Sequence, residues 1–502
     1  MSLTAIITTI VAYITLLFAV AYASSRNSSN ASYFTGNRGS SWWVAMLSMV
    51  SAAMSGVTFI SIPGSVAASG FSYLQMVIGF IAGYLVIAFV LVPLFYRLKV
   101  TSLYEYLESR FGNGSHLTGA SFFLLSRTLL SALRAYVACT VLQMLIFDRL
   151  GLPFAVNATI FMALVWLYSH RGGVKTIIWT DALRTISLVG SLVLCIALIA
   201  KSEHLLFGGL ISAVTDHPYS QTWFIEDWND SRHLLKQLLA GLFMVVAMTG
   251  LDQDMMQRTL SCRSKRDAQK NLIVAVLLQS VVIALFLTLG VLLYIYLDHA
   301  GISAADGSLF PMRDSAGNAV IEKADWVFPF VATSAGAPLA VGILFVLGLF
   351  ASTFSAAGSA LTALTTSFTV DLLRSYKQLS DKELTHKRER VNIGITLLIT
   401  ALIITFDSVS NRSIIDTFYS VASYTYGPIL GMFTFGIISK RKVRDSLVPA
   451  VAISAPLIAL LIDHNSEAWF NGYQFGFEIL IINALITIGG LMLISHKTKQ
   501  NS

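Results

Sequence analysis

The sequence predicts an all-α polytopic membrane protein, and three observations carry that prediction. Hydrophobic residues make up 55% of the 502 and charged residues only 12%, against roughly 25% charged in a soluble domain. Apolar windows of about 20 residues, long enough to cross a bilayer as a helix, recur from one end of the chain to the other. The basic residues fall on alternate loops, so the net charge of +7 is a topological label and not a nucleic-acid footprint.

Thirteen spans follow in order, near 3–22, 42–69, 73–96, 117–147, 154–169, 176–200, 235–257, 270–297, 338–370, 391–406, 413–438, 446–462 and 475–495. The first is read as a retained helix and not a signal peptide, because Arg26 and Arg38 follow its apolar run instead of preceding it. Loops assigned inside hold 24 of the 34 lysines and arginines, including the runs RTLSCRSKRDAQK, RSYKQLSDKELTHKRER and KRKVR; loops assigned outside hold six. The positive-inside rule then sets the N-terminus out and the C-terminus in. Arg127, Arg134 and Arg184 fall within spans and belong to no loop. The three cysteines, Cys139, Cys195 and Cys262, suggest no disulfide framework. No nucleotide-binding P-loop, metalloprotease helix or Ser-His-Asp arrangement occurs, so an enzyme is not expected.

An internal echo organises these spans. Ala53-Met54-Ser55-Gly56 interrupts the second and Ala247-Met248-Thr249-Gly250 the seventh, each opening a set of five. Interruptions at matching places in two halves point to discontinuous helices around a midplane site; chance similarity of four small residues is the competing reading.

Several segments resemble the sodium/solute symporter family. They are RLKVTSLYEYLESRFG (97–112), GGVKTIIWTDALR (172–184), LDQDMMQRTLSCRSKRDAQK (251–270), LFASTFSAAGSALTALTTSFTVDLL (349–373) and YGPILGMFTFGI (426–437), in family order over nearly the whole chain. The resemblance implies a LeuT-like fold of two inverted five-helix repeats. Residues 1–41 would then hold an extra N-terminal helix and loop, 42–200 the first repeat, and 201–234 an external loop. Residues 235–438 would hold the second repeat with its external loop 298–337, and 439–502 two C-terminal helices and a tail.

The resemblance also implies where sodium binds. The ligands align with main-chain carbonyls of Ser51 and Met54 at the first break, and with Ser352, Ser355 and Ala356 on the serine-rich helix. Ala356 stands where a second adjacent serine is common, so one hydroxyl is missing; Thr353 is near but belongs to a different helical face. Asp181, Ser355 and Ser359 align with a second sodium or proton site. Against that stands a structural pair of Asp181 with Arg184, whose i, i+3 spacing permits contact. Pocket candidates are Ser55, Thr58, Tyr73, Gln75, Arg134, Val245 and Met248, a set less polar than a hexose demands. An arginine facing the bundle near the midplane invites a carboxylate, from the protein or from a substrate, and the second of these makes Arg134 a pointer to an anionic solute. Arg127 reads as snorkelling to headgroups, and Asp252 and Asp254 as interfacial groups paired with the loop that carries Arg258.

The function expected is sodium-coupled symport of a small polar or anionic organic solute by alternating access. Na⁺ is the coupling ion, the bilayer of a bacterial inner membrane the setting, and neither nucleic acid nor an obligate protein partner is expected. Two alternatives stand beside it: a proton-coupled transporter of the same fold using Asp181, and a sugar symporter with an altered pocket.

Overall fold

A computed structural model describes residues 2–25, 39–98, 102–169, 173–205, 207–304, 311–313, 319–321, 324–334, 336–373, 379–409 and 414–496. Helix α1 (Leu3–Ser25) is followed by α2 (Trp42–Ala53) and α3 (Gly56–Ser69), which meet at 58°. Next, α4 (Ser72–Val86) continues through a π-helical turn, Ile87–Leu91, to Leu98. A short α5 (Glu105–Arg110) leads into α6 (Asn113–Leu142), α7 (Phe154–Ser169) and α8 (Gly173–Ser202). Between the two halves lies α9 (Phe207–Thr215). The second half opens with α10 (Leu234–Val245), drawn on by a π-helical turn to Gly250, and α11 (Gln253–Leu260), bent by 70°. It continues with α12 (Lys265–His299), α13 (Val327–Thr333), α14 (Leu339–Ser367), α15 (Asp381–Val409) and α16 (Ile414–Ile438). The chain closes with α17 (Val448–His464), α18 (Ser466–Trp469) and α19 (Ile479–Leu493).

Among the described residues nine helices are long and apolar enough to cross a membrane, or up to eleven when each bent pair is one span. Two shorter apolar helices, α7 and α19, stand at predicted spans. Short strands β1 (Ser303–Ala304), β2 (Pro311–Arg313) and β3 (Ala319–Ile321) form a sheet of order β1-β3-β2, and β4 (Lys442–Val443) pairs antiparallel with β5 (Ser495–His496). The basic stretch from 381 to 390 is part of α15 and not a loop, because Asp381 to Arg390 extend the helix by nearly three turns.

Helix association in a bilayer gains little from hydrophobic burial, so close approach through small residues carries it. A Cβ on Gly79 of α4 would collide with the Leu238 carbonyl of α10, and one on Gly241 of α10 with the Met76 carbonyl of α4. The helix that follows the first broken pair and the helix that opens the second half thereby lock face to face.

The two breaks differ in register from the echoed tetrapeptides. The first falls inside its echo, at Met54 and Ser55, where both residues are extended (ψ 119° and 175°). The second falls just beyond its echo, at Leu251 and Asp252. Capping explains the shift. A helix restarts where a side chain can satisfy its orphan N–H groups. The Ser55 N–H donates to Thr58 Oγ1 at 3.3 Å, while Asp252 Oδ1 accepts the Met255 N–H at 3.1 Å.

Candidate functional site at the two helix breaks

A break in a buried helix frees carbonyls that need donors or ions. Two arginines reach two of them: Arg134 Nη1 lies 3.5 Å from the Ala52 carbonyl, and Arg184 Nη2 donates to the Met54 carbonyl. Arg184 also lies 3.7 Å from Asp181 Oδ1, one turn away on α8, and both side chains are fully buried. The other oxygen, Asp181 Oδ2, accepts from Ser48 Oγ at 2.9 Å and from Arg258 Nε and Nη2 at 3.2 Å each.

Arg258 is the hub of this arrangement. Its Nη1 pairs with Asp254 Oδ1 at 2.6 Å and donates to the Asp254 carbonyl at 2.9 Å, and its Nη2 donates to Ser359 Oγ. Asp254 accepts from Ser359 Oγ at 3.0 Å and from Arg127, which lies 3.5 Å from Asp252. Asp252 in turn accepts from Tyr426 of α16 at 2.6 Å. One chain of charge-assisted bonds therefore joins α8, α2, α14, α11, α6 and α16.

Three expectations need correction. Arg127 is 4% exposed and paired with Asp252 and Asp254, not snorkelling; a carboxylate was within reach inside the bundle. Asp252 and Asp254 are buried, not interfacial, because the 70° bend turns α11 into the bundle. Arg258 belongs to no loop: it is buried on α11. The tally of charges offered a signal for all three, since three in-span arginines against Asp181 alone demanded further carboxylates. Ser48 was also missed, although Ser48, Ser51 and Ser55 repeat the i, i+3, i+7 spacing of Ser352, Ser355 and Ser359.

Of the expected sodium ligands, Ser51 and Met54 flank the break, and Ser51 Oγ is buried with no hydrogen-bond partner among the described residues. Ser352 Oγ donates back to the Leu349 carbonyl at 2.8 Å. The Ser355 side chain lies outside the described residues, and Ala356 brings no hydroxyl. Thr353 departs from its expected placement: its hydroxyl sits where a Cβ on Gly56 would be, buried and without a hydrogen-bond partner among the described residues. The face carrying Thr353 thus looks at the break. Asp181 and Ser359 are brought together, with the Arg258 guanidinium between them.

Two cavities lie in line beyond the breaks. The inner one, about 60 Å³, is lined by Thr58, Tyr73, Arg134, Val245, Met248 and Gln279, among others. Ser55 and Gln75 do not line it. Ser55 caps α3, and Gln75 ties the loop before α10, donating to the Arg232 carbonyl at 2.9 Å and accepting from the Phe224 N–H at 3.3 Å. The outer one, about 600 Å³, is a vestibule on the side of the loops 201–234 and 470–478. Both are lined by Tyr73 and Tyr419, whose hydroxyls share a hydrogen bond of 2.5 Å. Phe418 and Tyr419 were not foreseen; Phe418 places its ring 4.8 Å from the Arg134 guanidinium carbon. In this arrangement Arg134 has its Nε without a hydrogen-bond partner among the described residues and faces the inner cavity.

Paired broken helices around buried ion pairs and a central cavity, with a tyrosine pair between that cavity and an outer vestibule, have the architecture of a secondary transporter. The chain belongs to the sodium:solute symporter family, whose model matches residues 33–446. It is 27% identical to the sodium/sialic acid symporter SiaT of Proteus mirabilis, over 89% of this chain and 86% of that protein. It is 25% identical to the sodium/sialic acid symporter NanT of Aliivibrio fischeri, over 98% and 93%. The mouse sodium-coupled monocarboxylate transporter 1 is 26% identical over 83% of this chain and 66% of that one. A solved structure of a Na⁺-coupled sialic acid symporter in a substrate-bound outward-open state superposes with a TM-score of 0.81 at 20% identity, covering 98% of this chain and 99% of that one. The protein is a sodium-coupled symporter of LeuT-like fold and a multi-pass inner-membrane protein, and its relatives are transporters and not enzymes.

Proposed function

We propose that the protein imports a small organic carboxylate together with sodium, by alternating access, and that Arg134 holds the carboxylate. The observation that carries this reading is the charge balance around the breaks. Among the described residues four arginines (Arg127, Arg134, Arg184, Arg258) face three aspartates (Asp181, Asp252, Asp254); Arg127 and Arg134 both line the cavity, and of these two only Arg134 has no carboxylate of the protein within ion-pair distance. A guanidinium so placed favours an anion, since planar donors match a carboxylate two at a time. The sialate and monocarboxylate relatives carry solutes of that charge class. At about 60 Å³ the inner cavity is far below the several hundred Å³ typical of ligand sites, so entry requires the Tyr73–Tyr419 pair to part.

Sodium is read at the first break, between the main chain at Ser51 and Met54 and the hydroxyl face of α14. Two buried hydroxyl oxygens, Ser51 Oγ and Thr353 Oγ1, lack hydrogen-bond partners there among the described residues, as hard-cation ligands would before the ion arrives. The energetics bear on the number of ions. One sodium moving with a monovalent anion carries no net charge, so a tenfold sodium gradient sustains only about a tenfold solute gradient. A second sodium would add roughly 2.3 kcal/mol per 100 mV.

The test is uptake into proteoliposomes under a sodium gradient, with a panel of sialates and monocarboxylates against neutral sugars and amino acids. Arg134→Ala is expected to raise the half-saturating concentration of the carboxylate about 10- to 100-fold, the worth of a charge-assisted bond of about 1.5–3 kcal/mol. Arg134→Lys should recover part of it. A neutral solute carried better than every anion, or an Arg134→Ala variant with unaltered saturation, overturns the assignment.

A further inference from the structure

Two buried arginines flank Asp181, and they are satisfied very differently. Arg258 uses every nitrogen: Nε donates to Ser48 and Asp181, Nη1 to the Asp254 carbonyl, and Nη2 to Asp181 and Ser359. Arg184 donates from Nη2 alone, to the Met54 carbonyl, while its Nε and Nη1 have no hydrogen-bond partner among the described residues. A buried guanidinium with two idle donors is costly, because each desolvated donor without an acceptor loses about 1–3 kcal/mol or more. Arg258 has the bonding of a fixed rivet. Arg184 does not, and a second acceptor stands within reach, Asp181 Oδ1 at 3.7 Å from its Nη1.

The Met54 carbonyl is also the oxygen that the break offers to a cation. A guanidinium and a sodium ion on one carbonyl repel each other in a medium of low dielectric, so each weakens the other's hold on that oxygen. We propose that Arg184 is a tethered competitor of sodium: its guanidinium holds the Met54 carbonyl when the ion is away and withdraws onto Asp181 when sodium binds. This rests on sodium binding at the first break. The residue is a positioning and release element that sets sodium affinity and does not itself travel. Its withdrawal converts a 3.7 Å approach into a close pair, so ion binding is transmitted to α8 through the carboxylate that Arg258 already links to α11 and α14. A competitor that occupies the oxygen in nine molecules of ten weakens sodium binding about tenfold, by the fraction of competent molecules.

The experiment titrates the purified full-length protein with sodium chloride alone, choline chloride keeping ionic strength constant, and reads the thermal unfolding midpoint. Arg184→Gln is expected to lower the half-saturating sodium concentration about tenfold. Arg184→Lys, whose compact ammonium on a shorter stem holds a carbonyl less well, is expected to lower it about threefold, and it serves alone should the glutamine variant not fold. If Arg184 acted only through its charge beside Asp181, glutamine would also lower the value by removing a repelling cation, whereas lysine would keep the wild-type value, so lysine is the decisive variant. A half-saturation that is unchanged or raised in Arg184→Gln, or unchanged in Arg184→Lys, overturns the proposal. Ser355→Ala separates the two layers. If it abolishes the sodium response while Arg184 variants leave saturation unmoved, the competition alone falls. A response that Ser355→Ala leaves intact removes the ion site beneath it.

Discussion

At the proposed sodium site Ala356 stands where the family commonly has a second serine, and Thr353 is the residue proposed to supply an oxygen in its place. Its Oγ1 lies against Gly56, buried, with no hydrogen-bond partner among the described residues. A buried hydroxyl without a partner costs about 1–3 kcal/mol, a debt that an ion ligand role would cancel. Thr353→Val keeps the shape and removes the oxygen. It is expected to raise the half-saturating sodium concentration about tenfold while leaving the unfolding midpoint in choline unchanged or higher. A lowered midpoint in choline with unaltered sodium dependence would mean that the hydroxyl bonds within the protein. Single residues were the least legible layer of the sequence. Asp181, Arg184 and Arg134 declared themselves by charge in apolar runs, but Thr353 gave no such signal, because helical phase alone cannot say which of two neighbouring faces meets a break.

At the scale of elements, caps decide where the chain restarts, and one of them comes from far along the sequence. The N-terminus of α6 has no cap of its own: Gly112 precedes it at φ 142°. Asp445, just ahead of α17, supplies the acceptors instead. Its Oδ2 takes the Gly114 N–H at 2.6 Å, and its Oδ1 takes the Ser115 N–H at 2.7 Å and the Ser115 hydroxyl at 2.6 Å. Both the capping bonds and the helix dipole favour a carboxylate there. Asp445→Ala should cost about 1–2 kcal/mol, seen as a lower unfolding midpoint with sodium half-saturation unchanged. Asp445→Asn, which keeps an acceptor, should cost less; equal losses would remove the charge from the account. Spans were legible because an apolar run of membrane length has few other meanings. The five-helix sets were legible through their echoed interruptions. The place of the second bend was not, because Gly250 drew attention while Asp252, the residue that caps α11, reads in sequence as an interfacial acid near the end of a span.

At the scale of the whole molecule, the vestibule and the ion-pair chain lie on opposite sides of the inner cavity. The vestibule takes up the side of the loops 201–234 and 470–478. The chain from Asp181 through Arg258, Asp254, Arg127 and Asp252 to Tyr426 fills the half nearer the basic loops, where α2, α6 and α8 begin and α14 ends. In the proposed alternating-access cycle, opening toward the basic side would part guanidinium from carboxylate, with Arg258 the junction through which both halves of the chain pass. A native reporter sits close by. Cys262, just past α11, is 1% exposed, and burial pushes its thiol up to about 12. The reacting species is the thiolate. At pH 8 a thiol of pKa about 12 is ionised in on the order of one molecule in 10⁴, whereas an exposed cysteine near 8.5 is ionised in about a quarter, a difference on the order of 10³ in maleimide labelling rate. Arg258→Gln keeps a donor for Ser359 but releases both carboxylates, and it should shift molecules toward the state open on the basic side. Labelling of Cys262 in that variant should then rise well above wild type and fall back when sodium is added, since an ion at the proposed site would hold α2 against α14. Labelling of the span cysteines Cys139 and Cys195, which are fully buried, should stay flat and so report that the fold is intact. A Cys262 rate that matches wild type in folded Arg258→Gln would show that the seal on the basic side lies elsewhere than in this ion-pair chain.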